Sequence, residues 1–298
     1  MNDGSLVNPK YPIYVISKGR WKSRLTPRVL EEISVPFRLV VEPHEYAEYA
    51  NFVEPNRILV LPFSNLGQGS IPARNWVWEH SIAEGHERHW IMDDNIVRFY
   101  RFHQNAKHPL ADGSGFAVME QFADRYENVP MAGPNYEHFV NSREPNLPPV
   151  RFNTRVYSCI LLSNKVPHRW RGRYNEDTDL AIRLLKDGYC TALFNAFTAN
   201  KVATMTMKGG NTDQLYQKTE GFDGRMEMAL SLRRQHPDVT KVTRKWGRWQ
   251  HQVDYRPFAS NKLIRKPDAQ VTPGVNEYGM CLMPFSKTEK SPAHRVGL

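Results

Sequence analysis

The sequence predicts an α/β fold: a mostly parallel sheet flanked by helices, with a helical and basic extension at the C-terminus. Two observations predict the sheet. Short apolar, β-branched or aromatic runs occupy residues 11–17 (YPIYVIS), 37–41 (FRLVV), 57–61 (RILVL) and 89–92 (HWIM), and the stretches between them are polar and of helical length. That is the pattern of βαβ units, in which helical crossovers join parallel strands and cover the sheet. A third observation marks off the extension: from Arg225 onward Lys and Arg heavily outnumber Asp and Glu.

In open parallel sheets ligands bind beyond the carboxyl ends of the strands, so the residues after each run are where chemistry is sought. The first run leads into Ser17, Lys18, Gly19 and Arg20, and the second into Glu42. The third leads into the loop SNLGQGSIPARN and the fourth into Asp93, Asp94 and Asn95. Within the loop, Gly67-Gln68-Gly69 lacks the third glycine of a dinucleotide fingerprint and follows the wrong strand. Pro72 suits the first turn of a helix running to Glu84, whose N-terminus and Arg74 offer donors to a phosphate.

Residues 98–150 are rich in Pro, Asn, His and Gly, with a helical stretch at 116–126, and read as an acceptor-side insertion. A strand returns at 156–162 (VYSCILL). RWRGRYNEDTD then leads into a helix at 178–186 closed by Gly188, and another strand follows at 189–194 (YCTALF). A long helix is expected at 213–235, ahead of the basic aromatic segment 241–258. The expected organisation is an N-terminal tail (1–10), a main domain (11–215), a helical and basic extension (216–260) and a flexible tail (261–298).

Composition narrows the class. Hydrophobic residues make up 40% of 298, enough for a core, so the chain as a whole is not disordered. Cys159, Cys190 and Cys281 form no CxxC pair, which excludes a disulfide framework or zinc ribbon and points to a reducing, cytoplasmic home. No run approaches the roughly 18 apolar residues of a membrane span, and the N-terminus has no secretory pattern. No membrane partner is expected. HSIAEGHERH holds no HExxH pattern, and His80, His86 and His89 read as surface residues. GxSxG and GxxxxGK[ST] are absent, against a serine hydrolase or P-loop kinase. The formal net charge of +9 is modest, and its C-terminal weighting places any polyanion there.

Three constellations carry candidate chemistry. Asp93, Asp94 and Asn95 end a strand, where carboxylates can hold Mg²⁺ or Mn²⁺ that bridges to a nucleotide diphosphate; the competing reading is a solvated turn. Glu176 and Asp177 open a helix, where one carboxylate can serve as general base toward an acceptor hydroxyl; the competing reading is a helix cap. Lys241, Arg244, Lys245 and Arg248 interleave with Trp246 and Trp249, a combination that meets phosphates and stacks on bases. The same spacing also fits an amphipathic segment packing its tryptophans on a core.

IYVISKGR, IPARN, WIMDDN and NEDTDLAIRLLKDGY stand in the order used by nucleotide-sugar glycosyltransferases of the GT-A class, and the chain resembles these over residues 11–215. More narrowly, with GRWQHQVDYRPF, it resembles the TET-associated glycosyltransferases of bacteriophages. The resemblance implies a GT-A-like, Rossmann-type sheet and transfer of a sugar from a donor such as UDP-glucose to a 5-hydroxymethylpyrimidine in DNA. It implies donor contacts at Ser17, Lys18, Arg20, Glu42, Arg74, Asp93 and Asp94, and catalysis at Asp177 beside Glu176. Asn95 departs from the DxD pattern, which bears on metal dependence. Three alternatives remain: a glycosyltransferase with a glycan or protein acceptor, a metal-dependent nuclease, and a non-catalytic DNA-binding protein.

Overall fold

The computed structural model describes residues 7–140, 147–202, 218–219 and 222–269. Strands β1 (Ile13–Ile16), β2 (Arg38–Val41), β3 (Ile58–Val60) and β4 (Arg88–Asp93) fall on the four apolar runs. They pair in parallel in the order β3-β2-β1-β4. Helices α1 (Leu25–Glu32), α2 (Tyr46–Ala50) and α3 (Ile71–Ala83) lie in the connections, with Pro72 in the first turn of α3 as expected.

The second half adds β5 (Ile96–His103), β6 (Ala106–Pro109), α4 (Ser114–Asp124), β7 (Met131–Tyr136) and β8 (Val150–Phe152). Strand β9 (Cys159–Ser163), helix α5 (Glu176–Lys186) and strand β10 (Thr191–Lys201) follow. The order continues β4-β9-β7-β10-β5-β6, with β8 also on β10. β9 runs antiparallel to β4 and β7, while β10 runs parallel to β7. The result is a large mixed, mostly parallel sheet flanked by helices.

Residues 98–150, expected as an insertion, therefore supply sheet strands and a core helix. Phe99 of β5 and Trp90 of β4 both pack edge-on against Phe116 of α4, with centroids 5.0 and 5.3 Å apart. Burial of these rings outweighs the loop-like composition around them. β9 starts later than expected because Ser158 takes a left-handed conformation (φ 60°). β10 runs past the expected end at Phe194 to Lys201, through an irregularity between Phe194 and Thr198.

Period-two alternation buries both faces of the sheet. Ile13, Val15, Trp90 and Met92 join one cluster with Val29 and Leu30 of α1 and Phe116 of α4. Tyr14 and Ile91 join the other with Trp78 of α3 and Leu180 of α5. His89, expected at the surface, is buried on β4 with Nδ1 2.8 Å from Asn164 Oδ1, and burial pushes its pKa down to about 4. Gly133 of β7 is required by close approach, since a Cβ there would lie 2.2 Å from the Cys159 carbonyl oxygen.

The extension contains a short ribbon of β11 (Lys218–Thr219) and β12 (Phe222–Asp223), helix α6 (Gly224–Gln235), and a hairpin of β13 (Thr240–Lys245) and β14 (Arg248–Val253). The helix expected from 213 begins at Gly224, because the Asp223 carboxylate caps the Arg225 and Met226 N–H groups. Residues 213–217 lie outside the described residues. Leu232, Val239 and Phe258 pack on Ile182 and Leu185 of α5. The tail expected to be flexible from 261 is tied down over its first part: Asn261 Nδ2 donates to the Leu185 and Tyr189 carbonyls, and Ile264 N–H to Asn128 Oδ1. Residues 270–298, with Cys281, lie outside the described residues. Among the described residues no helix is long and apolar enough to cross a membrane.

One buried carboxylate ties α5 to α6. Asp179 is 0% exposed and accepts from Arg171 Nη2 at 3.0 Å and Arg183 Nε at 2.9 Å, with His236 Nε2 at 2.8 Å. Asp179→Ala is expected to destabilise the protein by about 3–5 kcal/mol, because removing one partner of a buried pair strands the others. Urea unfolding of the variant against the wild type measures this.

Candidate active site

One cavity of about 440 Å³ opens at the carboxyl edge of the sheet. Ser17, Glu42, Asp93, Tyr136 and Lys201 reach it from the ends of β1, β2, β4, β7 and β10. Ser158 enters from just before antiparallel β9, and Glu176 and Asp177 from the first turn of α5. Ser17, Lys18, Arg20, Glu42, Arg74, Asp93, Asp94, Asn95, Glu176 and Asp177, separated by up to 160 positions in sequence, all line it. The six hairpin residues Lys241, Arg244, Lys245, Trp246, Arg248 and Trp249 do not; their strand sends only His251 to the cavity.

The Asp93-Asp94-Asn95 turn is clamped by Thr26 of α1. Thr26 Oγ1 donates to the Asp93 carbonyl at 2.6 Å and accepts the Ile96 N–H at 2.9 Å. The turn's two carboxylates then point to different partners. Asp93 Oδ1 accepts from Arg74 Nη2 at 2.7 Å; its Oδ2 accepts from Lys201 Nζ and from Ser158 Oγ, each at 2.8 Å. Burial alone would raise the Asp93 carboxyl, but the Lys201 and Arg74 charges hold it well below the usual carboxylate range. Asp94 Oδ2 accepts from Ser17 Oγ at 2.6 Å and Oδ1 from Arg20 Nη1. Burial raises the Asp94 carboxyl against the opposing Arg20 charge.

Arg74 is 3% exposed, with its guanidinium 4.9 Å over the Trp170 ring. Its Nε lies 3.3 Å from Glu176 Oε1, which also accepts from Ser70 Oγ at 3.0 Å. Its Nη1 is buried without a hydrogen-bond partner among the described residues. At the other end of the cavity Lys18 Nζ donates to Glu42 Oε1 and Asn65 Oδ1, both at 2.8 Å, and Glu42 Oε2 accepts the Asn65 N–H. This link joins the ends of β1 and β2 to the loop after β3.

Asn175, left-handed at φ 55°, precedes α5 and donates from Nδ2 to the Met228 carbonyl of α6. It turns the chain so that Asp177 sits in the first helical turn, where its Oδ1 accepts the Thr178 N–H at 2.6 Å. Among the described residues no donor reaches Oδ2. Burial, with the neighbouring Glu176 charge, raises the Asp177 carboxyl to about 6 against the opposing Arg74 and Arg155. A carboxylate that ionises near neutrality and keeps an uncommitted oxygen on a cavity is suited to accept a proton.

As arranged here, Asp93, Asp94 and Asn95 do not fit a shared divalent ion. All four carboxylate oxygens carry protein donors, and three cations already neutralise the pair. Among the described residues no group of three or more His, Cys, Asp or Glu side chains is placed to hold a metal. Seven basic side chains face five acidic ones around the cavity, a balance suited to an anionic ligand.

Sequence reasoning missed Lys201, Ser158, Arg155 and the stacked pair Tyr136–Tyr157 (centroids 4.6 Å apart, planes at 9°). Lys201 was hidden because NAFTANK reads as a polar continuation after a strand ending at Phe194. Its one signal is position, a lysine closing a long strand next in register to Ile96, just beyond the acidic turn.

A comparison with curated proteins finds no significant match. A family model described as TET-Associated Glycosyltransferase matches residues 11–210. That span contains every acidic residue of the cavity and each cation bound to Asp93 or Asp94, and it ends before α6 and the hairpin. With the match covering more than half of the chain and both acidic clusters gathered at one sheet edge, the chain belongs to the TET-Associated Glycosyltransferase family.

Proposed function

We propose that this glycosyltransferase moves a hexose from a nucleotide-sugar donor, UDP-hexose in the simplest case, to the hydroxyl of a 5-hydroxymethylpyrimidine in DNA, with inversion. The observation that carries the reading is one cavity holding both a cation-rich end, with Arg20, Arg74 and Lys201, and the raised, open carboxylate of Asp177. The acceptor O–H gives its proton to Asp177 as the oxygen bonds to the anomeric carbon. The bond from that carbon to the diphosphate breaks, and its electron pair leaves on the phosphate oxygen. Fixed cations stabilise that developing charge, where the energetic need is greatest.

The DNA part of the reading draws on the hairpin. Lys241, Arg244, Lys245 and Arg248 are exposed, and Trp246 is 85% exposed at the tip. Trp246 and Gly247 both take positive φ (50° and 72°), as a tight two-residue hairpin turn demands, although tryptophan is costly there. An aromatic ring held out in a strained turn among cations suits stacking on an unpaired base. A base within a duplex must be extruded before its hydroxymethyl group enters a deep site. In the same hairpin His251 reaches the cavity, so a bound strand and the chemistry share one element.

The deciding experiment incubates the protein with a panel of nucleotide sugars and DNA containing cytosine, 5-hydroxymethylcytosine or 5-hydroxymethyluracil, then digests to nucleosides for mass spectrometry. A hexose gain on a hydroxymethylated nucleoside alone supports the reading. Release of free nucleotide without nucleoside gain would move the acceptor to a glycan or protein.

Asp177→Asn is expected to lower kcat/KM by about 10²–10⁴-fold while donor affinity stays near wild type. Because the base works when deprotonated, wild-type kcat/KM should climb about tenfold per pH unit below about 6 and level off above it. A flat pH profile from 5 to 8 would remove Asp177 from this role. Replacing Arg244, Lys245 and Arg248 by Ser should weaken DNA binding and flatten the log K against log salt slope by roughly 0.9 per lost phosphate contact. Donor binding should be unchanged in that variant.

A further inference from the structure

We infer that Lys201 and Arg74 hold the donor's diphosphate in place of a divalent cation, so that this protein binds its nucleotide without metal. The inference rests on the nucleotide-sugar reading and concerns the chemistry of that same site. In a metal-dependent site the acidic turn donates oxygens to an ion, and the ion meets the phosphates. Here the acidic turn does something else with its oxygens.

Asp93 spends both of its oxygens on cations from distant elements: Arg74 Nη2 of α3 at 2.7 Å and Lys201 Nζ of β10 at 2.8 Å. Asp94 is paired with Arg20. All three cations are largely buried, and all line the cavity. A divalent ion on Asp93 would have to displace two buried cations from what is, among the described residues, the only carboxylate paired with Lys201 and the nearest one to Arg74, and would bring further positive charge into a cluster already carrying three charges against two. A diphosphate brings negative charge instead. The cluster as built complements the ligand directly, which is what fixed, preorganised cations do best.

Arg74 retains a donor for that ligand. Its Nη1 is buried and unpartnered among the described residues, while its remaining nitrogens are fixed by Asp93, Glu176 and Ser70. Lys201 is braced by Ser158 Oγ at 2.7 Å and lies 3.4 Å from the Tyr136 hydroxyl. Asp93 thereby orients cations toward the ligand rather than ligating a metal.

The test is calorimetric titration of the full-length protein with UDP, and with uridine, in EDTA and in MgCl₂ or MnCl₂. ADP, GDP and CDP are run in parallel to cover another base. The wild type is expected to bind one nucleoside diphosphate in EDTA within about threefold of its affinity in metal. Lys201→Met is expected to weaken the diphosphate at least tenfold while leaving the matching nucleoside unchanged, and Lys201→Arg to recover part of the loss. Wild-type binding only in the presence of metal would overturn the inference and leave the glycosyltransferase reading standing. So would undiminished binding, or equal loss of diphosphate and nucleoside, in Lys201→Met. Failure of every nucleoside diphosphate to bind in either buffer would overturn the nucleotide-sugar reading itself, and the inference with it.

Discussion

A carboxylate at the end of a central strand, withdrawn from water until its side chain is only 24% exposed, calls for neutralisation, and the neutralisation of Asp93 organises the cavity. Its two oxygens draw in Arg74 from α3 and Lys201 from β10, and Ser158 from the turn before β9 completes the shell. Those elements come from three parts of the chain that lie side by side only when β4, β9, β7 and β10 are ordered as they are. The ion pairs are weak evidence for stability, because desolvation opposes them. They are strong evidence for geometry, since each cation is fixed at a known place on the cavity wall.

The first half of the fold was legible because its strands are short apolar runs set off by polar helices, and the period was unmistakable. The second half was less so. Residues 98–150 read as an insertion on composition, yet Phe99 and Phe116 bury enough aromatic surface to draw the segment into the sheet. The acidic residues of the site were readable from their place after predicted strands and at a predicted helix start. The residues that the prediction missed share a physical reason. Lys201 and Ser158 owe their roles to irregular backbone, a bulged strand and a left-handed residue, which no hydrophobic pattern announces. Which cations reach the two carboxylates of the acidic turn was likewise not legible, since Arg74 and Lys201 come from elements far away in the sequence.

The hairpin stands apart in character. Its basic residues sit beside two tryptophans that are placed differently within one ribbon: Trp249 is half-buried with the Arg244 guanidinium 5.8 Å over its ring, while Trp246 projects from the tip. The two strands of the hairpin carry no carboxylate, and Arg244, Lys245 and Arg248 gather toward the tip.

The seam between α5 and α6 has a consequence for where this protein can be divided. The family match stops at 210, but Ile182 and Leu185 on the far side of the acid-bearing helix are covered by Leu232, Val239 and Phe258. Asp179, two residues from Asp177, finds one of its partners in His236. A chain cut at the family boundary would bare an apolar stripe on the helix that carries Glu176 and Asp177. Any exchange of the hairpin for another element has to preserve that stripe's cover, which makes the seam the natural limit of modular exchange.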